Sequence, residues 1–376
     1  MRTTIGAIDM TTLRFLVLGI GHAQVDLLRH LQGRCELHAV SNSRHGRGFP
    51  LVDRFAEIDI TDQQAVLSYA RANHIDQIYT VGSDVAMPTV AHVASEMGLS
   101  FLVAPSVAAT CNHKVAMRTA LKEVYGAVPF ELVAGPGSDV TLGWPVVVKP
   151  VDSQGQRGVS MIGDPQVFDA AVVAAIAHSR AGQAIVEPLI DGPEISVNAY
   201  LRDGELIFFL PSARVSWPDF DGGLIHQHLL PASLTDTEVA RVRRLVVETL
   251  NTLGLRQGPA YFQIKMSGGH PWLIEVTPRL DGCHMWRLIE AATGVNLLSM
   301  AVSHLLGHAP DEVQAFTTRS ARLEFFCQPP DTLVHHVEPH PSAVHVEWYY
   351  EPGERVRRMN GKMEKCGYQI ILEGTP

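Results

Sequence analysis

The chain is short of cysteine, of aromatic residues and of positive charge, and each shortage removes a class of protein. Its five cysteines, Cys35, Cys111, Cys283, Cys327 and Cys366, are odd in number and widely spaced, without a C-x-x-C pair. That pattern excludes a disulfide framework and fits reduced, mostly buried thiols. Lysine and arginine total 30 against 39 acids, a net charge of −9, and no Lys/Arg block supplies the basic field that nucleic acid demands. No apolar run reaches the roughly 20 residues needed to span a bilayer. The start, M-R-T-T-I-G-A-I-D-M, lacks a secretory apolar core, so no membrane partner is expected and a cytoplasmic location is. Two common nucleotide signatures are also missing. No G-K-[ST] follows a glycine loop, which rules out a Walker loop, and His22-Ala23-Gln24 stands where a dinucleotide turn beginning Gly19-Ile20-Gly21 needs its third glycine. What remains is an ordinary globular composition, 46% apolar and 18% charged, long enough at 376 residues for two or three domains.

The first hundred residues alternate between two periodicities. Leu13 to Gly19 reads as a strand, His22 to Leu31 as a helix, Glu36 to Ser41 as a strand and Asp62 to Asn73 as a helix. Gln77 to Val81 follows as a strand, Ala86 to Met97 as a helix and Phe101 to Val103 as a short strand. Such alternation predicts a doubly wound parallel sheet. The turns at Gly19-Ile20-Gly21 and Gly82-Ser83-Asp84 then fall at its carboxyl edge, where a small substrate can sit.

Three later segments carry chemistry. In P-V-V-V-K-P-V-D-S-Q-G-Q-R-G-V, Val146, Val147 and Val148 favour a pleated backbone, and Pro145 and Pro150 close the run. Lys149 therefore leaves the strand end in a fixed direction. Ser153, Gly155 and Gly158 let the next loop fold over an anion with N–H groups aimed at phosphate oxygens. A surface hairpin would read the same way, so the weight rests on the two segments downstream. In A-I-V-E-P-L-I-D-G-P-E-I-S-V, one strand ends at Glu187 and another begins near Glu194. Backbone groups at Glu187, Pro188, Leu189 and Ile190 can pair with an adenine edge, and Glu194 can accept from ribose hydroxyls; a turn with solvated acids is the alternative. From Gly258 to Gly282, two alternating strands flank Ser267-Gly268-Gly269, a hairpin that sets Gln263 near Glu275. Mg²⁺ takes hard oxygen ligands and shares them with phosphates, so Glu275 with Gln263 and Thr277 is the metal mount. Arg279 then points its planar fork at a transferred phosphoryl group.

In this order and at these separations the three segments resemble the ATP-grasp superfamily. The Gln-then-Glu metal pair is most similar to its carbamoyl-phosphate-synthetase-like branch, and the resemblance covers most of the chain. It implies an α/β ATP-grasp fold: residues 1–111 as an N-terminal doubly wound domain, 112–190 as a central domain with a lid from about 130 to 190, 191–316 as the catalytic lobe, and 317–376 as a small β-rich cap. Asp164 to Ser179 is expected as the amphipathic lid helix and Thr235 to Leu253 as the long helix of the lobe. The resemblance also implies roles. Lys149 and Lys114 contact the nucleotide phosphates, with Arg118 assisting one helical turn on; Glu187 marks the adenine hinge and Glu194 the ribose acid; Glu275 bridges metal, and Arg279 steadies an acyl phosphate. ATP and Mg²⁺, with Mn²⁺ as a substitute, are the implied cofactors. The chain departs from the pattern where Thr277 replaces the usual asparagine and where Gln263 brings no charge, which weakens a second Mg²⁺. Asn112 likewise stands where an aspartate often precedes the lysine.

Substrate contacts are expected from Arg214 at a strand end, from His284 and Arg287 after the metal strand, and from Arg322, which would grip a carboxylate. A surface cation for Arg214, and plain helix packing for His284 and Arg287, are the alternatives. The helix that opens after Gly282 favours an anion at its start. Cys283 reads as a core thiol, because the implied chemistry needs no protein nucleophile. Ser216 to His228 reads as a substrate loop. His226 and His228 share a face but lack an adjacent third ligand for a metal, and the cluster His335, His336, His340 and His345 reads as solvated. The resemblance implies an ATP-dependent carboxylate-amine ligase that joins two small, amino-acid-like molecules through an acyl phosphate and releases ADP and phosphate. Bicarbonate activation is the alternative among enzymes, a nucleotide-binding regulatory protein without turnover the alternative outside them. Homodimers are frequent in that family.

Overall fold

The structure, a computed structural model, describes residues 10–152, 158–217, 224–308, 310, 313, 315–359 and 363–373. Its first region contains β1 (Arg14–Leu18), α1 (Val25–Leu31), β2 (Glu36–Ser41), β3 (Arg54–Glu57), α2 (Gln63–Ala72), β4 (Gln77–Tyr79) and α3 (Met87–Met97). The four strands run parallel in the order β3-β2-β1-β4. Phe15, Leu16, Val17 and Leu18 are wholly buried, as a parallel strand covered on both faces requires. Asp62 starts α2 by accepting the N–H groups of Gln64 and Ala65, which helix entry would otherwise leave unmatched. Phe101 to Val103 forms no strand, contrary to expectation. It stays outside the sheet, whose edge is β4, and Leu102 and Val103 plug two different hydrophobic cores instead.

Helices α4 (Pro105–Asn112) and α5 (Lys114–Ala120) lead to a small antiparallel sheet. Its strands are β5 (Glu131–Val133), β6 (Val146–Pro150), β7 (Ser160–Ile162) and β8 (Ala184–Pro188), in the order β5-β8-β6-β7, with α6 (Phe168–Ala177) on one side. Val146, Val148, Ala184 and Val186 face α6 and form a core with Phe168 and Val172. By strand alternation Lys149 and Glu187 emerge on the other side. The helix is shorter than expected and apolar on both faces, since Val173 is exposed; Asp164 caps a separate turn at Pro165–Val167.

The large sheet is antiparallel, in the order β13-β12-β9-β10-β11-β14-β16-β15. Its strands are β9 (Glu194–Arg202), β10 (Glu205–Ser216), β11 (Ile225–Leu230), β12 (Gly258–Ser267), β13 (His270–Thr277), β14 (Ala321–Gln328), β15 (Ala343–Trp348) and β16 (Glu364–Leu372). The strands from 321 onward continue this sheet through the β11–β14 ladder. Helix α7 (Asp236–Leu253) opens on a capping box between Thr235 and Glu238 and covers one face. That face is apolar: Ile195, Val197, Ala199, Phe262, Ile264 and Val276 pack on Val242, Leu245, Val246 and Leu250. The alternate residues, Glu194, Ser196, Asn198, Tyr261 and Gln263, make the opposite face polar. Helices α8 (Met285–Thr293) and α9 (Leu297–Leu305) follow β13 and bury Met285, Trp286, Leu288 and Leu298 in the core of the first sheet, so the first domain and the large lobe share a core. No single described helix is long and apolar enough to cross a membrane.

Candidate nucleotide and metal site

The site begins where the small sheet faces the large one. Glu187 on β8 is 3% exposed and lies between two cations: its Oε1 accepts from Arg118 Nε at 2.7 Å and its Oε2 from Lys149 Nζ at 2.5 Å. Burial works against the Glu187 charge, but Arg118 and Lys149 overcome it and hold the carboxyl at about 2. Lys114, the first residue of α5, is close enough to feel Glu275, Lys149, Glu187 and Asp152; burial, reinforced by the Lys149 charge, lowers its pKa. Two lysines from different elements thus converge with the strand acids around one cleft.

Arg118 does more than assist. Its Nη1 donates to Leu273 O at 2.8 Å and its Nη2 to Ile274 O at 2.9 Å. In the β12–β13 ladder Gln263 pairs with Glu275 and Ile264 with Leu273, so Ile274 is an extra bulged residue. The guanidinium therefore fixes the backbone just before Glu275 while gripping the small sheet through Glu187. The hairpin sets Gln263 directly opposite Glu275, and Gln263 Nε2 donates to Glu194 Oε1 at 3.1 Å. Burial and the neighbouring Asp84 carboxylate push the Glu275 pKa upward, and the buried hydroxyl of Thr277 has no hydrogen-bond partner. A carboxylate short of compensation beside an unmatched oxygen and an amide side chain suits a hard divalent cation.

Arg279 is held by a residue that the sequence did not single out for it. Its Nε donates to Asp84 Oδ1 at 2.7 Å and its Nη2 to Asp84 Oδ2 at 2.8 Å, a two-point pair between the large lobe and the first domain. The only hint was the position of Gly82-Ser83-Asp84 at the carboxyl edge of the first sheet. There Gly82, at φ +64°, is forced small, because a Cβ would lie 2.8 Å from Gly282 Cα. A narrow cleft opens here between Asp84, Asn112 and Thr277.

Arg214 lies on the polar face of the large sheet, beside Glu194. It pairs in register with Glu194 on one side and His228 on the other, places Nε 3.3 Å from Glu194 and donates from Nη1 to Tyr261 Oη at 3.1 Å. Three other expected substrate residues are committed elsewhere. His284 lies 3.2 Å from Asp26 and 2.8 Å from Tyr349 Oη, and Arg287 takes both oxygens of Asp26 at 2.5 and 2.9 Å, so both tie α8 to α1. Arg322 pairs with Glu373 and lies 3.7 Å from Glu324. Ser153 and Gly155 lie outside the described residues, as do 218–223 of the expected substrate loop. Gly158 is needed for its turn: φ is +72° and a Cβ would meet His178 and Pro150 at 2.9 Å. At the hinge, Pro188 ends β8, Ile190 stays half-buried, and the Leu189 N–H already donates to Pro145 O at 2.9 Å, which removes one donor from adenine pairing. His335, His336 and His340 are exposed, as expected of a solvated cluster, with His336 stacked on Trp348, whereas His345 is half-buried and lies 3.1 Å from Tyr368 Oη.

Two lobes clasping a cleft lined by lysines on one side and by Gln263, Glu275 and Arg279 on the other define a nucleotide-gripping architecture, and comparison gives it a name. Residues 142–286 match the ATP-grasp domain, and the chain has the ATP-grasp fold. It is 26% identical over 280 residues to the ATP-grasp enzyme fsqD of Aspergillus fumigatus, a match covering 65% of this chain and 48% of that protein. With a formate-dependent phosphoribosylglycinamide formyltransferase of Synechococcus sp. it shares 27% identity over 290 residues, 72% of this chain and 71% of the relative. Among solved structures, an L-amino acid ligase from Bacillus licheniformis superposes with a TM-score of 0.76 at 18% identity, covering 96% of this chain and 94% of that one.

Proposed function

We propose that the protein is an ATP-dependent carboxylate-amine ligase that forms an amide or peptide bond through an acyl phosphate and releases ADP and phosphate. The observation that carries this reading is the convergence of Lys114, Lys149 and Glu187 from one side with Gln263, Glu275 and Arg279 from the other. ATP-grasp relatives and neighbours include a D-alanine–D-alanine ligase and an L-amino acid ligase, which supports amide chemistry on amino-acid-like molecules. The same proposal keeps the division into 1–111, 112–190, 191–316 and 317–376, a cytoplasmic setting and a homodimer as its working frame.

In this reading Lys149 leaves Glu187 to meet a phosphate, and Lys114 adds a second positive charge. Glu194 accepts from the ribose. Glu275, Gln263 and Thr277 would hold Mg²⁺, which supplies charge neutralisation to the triphosphate when bound. Arg279, kept straight by Asp84, presents two parallel N–H donors to the acyl phosphate. Because the carboxylate itself attacks the terminal phosphoryl group and the amine then displaces phosphate, no protein nucleophile is needed. The test is a two-dimensional screen of amino acids and other small acids against amines, read by phosphate release and product mass. ADP and phosphate that require both partners support the ligase. AMP as product, or bicarbonate dependence without a second acid, overturns it.

A further inference from the structure

One group of side chains is left over once the nucleotide and metal residues are assigned. His228 on β11 is fully buried and neither ring nitrogen has a partner; Asp281, 4% exposed, receives the Cys283 N–H on Oδ1 and nothing on Oδ2. Their ligand atoms and Cys283 Sγ lie within 4.8 Å of one another. Buried polar atoms are normally matched, and two unmatched ones facing each other mark a place for a ligand. Burial, with the charges of Arg214 and Lys365, holds the His228 pKa at about 4, so the ring is neutral near pH 7 and offers one nitrogen as an acceptor.

We propose that His228, Asp281 and Cys283 receive the amine substrate as its ammonium ion, an assignment that rests on the ligase reading above. A primary ammonium carries three N–H donors. Three acceptors at about 2.9 Å in tetrahedral directions stand roughly 4.7 Å apart, which the spacing of this triad admits. The same bound admits the roughly 3.4 Å separation of zinc ligands, but zinc would bring two positive charges beside Arg214 and Lys365 where an ammonium brings one. Cys283 Sγ already accepts from one ammonium, Lys365 Nζ at 3.6 Å, and keeps a second lone pair for the substrate. The location fits the reaction. Asp281 follows Arg279 by two residues, and Arg214, in register with His228, reaches Glu194 and Tyr261 on the nucleotide side.

The test uses the full chain and two near-isosteric probes, L-alaninamide, which carries an ammonium, and propionamide, which does not. Calorimetric titration with Mg²⁺ and a non-hydrolysable ATP analogue present should show binding of alaninamide alone. Asp281→Asn and His228→Gln should each weaken it by about tenfold or more while leaving the affinity for the ATP analogue unchanged. Equal binding of both probes, unchanged binding in both variants, or about one zinc per chain that His228→Ala removes would overturn the proposal. Alaninamide binding without turnover for any acid would keep the ammonium site and sink the ligase reading instead.

Discussion

Asp26 and Asp281 are each 4% exposed, yet they stand at opposite ends of hydrogen-bond satisfaction. Asp26 is surrounded: His284, Trp286 Nε1 at 2.8 Å and both arms of Arg287 reach it, and Tyr349 completes the set behind His284. These donors hold its pKa far below the ordinary carboxylate value despite burial. Asp281 has one backbone donor and an idle oxygen. A finished network fastens two domains together, whereas an unfinished one is kept open for something that arrives later. The same contrast separates His284, matched on both nitrogens, from His228, matched on neither.

Four experiments bear on this contrast, taken from the largest effect to the smallest. Asp26→Ala should cost roughly 3–5 kcal/mol in denaturant unfolding, because it strands Arg287 in a half-buried seam; a loss under about 1 kcal/mol would dissolve the distinction. Glu275→Gln should do the reverse, cutting ATP-dependent phosphate release by about 100-fold or more while raising stability by about 1 kcal/mol, since it removes an under-compensated carboxylate. Calorimetry and a phosphate assay on the same preparation decide it. The third experiment concerns pH. The His228 pKa is lowered from 6.5 to about 4 on folding, so the unfolded chain binds the proton first as pH falls. The stability linked to it is complete above pH 6.5 and declines as pH drops from 6.5 toward 4, by up to about 3 kcal/mol. His228→Asn should lessen the fall in melting temperature across that window, leaving the part due to His22 and His30, which burial also lowers. Smallest is Thr277→Asn, which supplies a better oxygen donor and should lower the Mg²⁺ concentration for half-maximal activity a few-fold; a rise would place Thr277 outside the metal shell.

How legible each part was depends on how local its cause is. Lys149 was readable because three valines and two prolines fix its strand within six residues. Gln263 opposite Glu275 was readable because a two-glycine turn sets the register of its hairpin. The strands and helices of the first domain were readable from periodicity, except for β3, which was not expected, and Phe101 to Val103, where burial demanded apolar residues without a ladder. What stayed hidden depends on distant partners. Asp84 finds Arg279 across 195 residues and Arg287 finds Asp26 across 261, so no local pattern distinguishes a substrate arginine from one already spent on an acid. The acid partner of Arg322 was hidden for the same reason, Glu373 standing across a sheet ladder. His228 had no visible companion in sequence because Asp281 and Cys283 come from beyond β13.

Arg118 ties the root of the small sheet to the bulge beside Glu275 with one rigid plane of atoms. It works as an axle pin. On the proposed function, a triphosphate that drew Lys149 off Glu187 would leave that carboxylate to Arg118 alone, whose other two donors hold the carbonyls of Leu273 and Ile274. One arginine would then gear the grip on the nucleotide to the strand that bears Glu275.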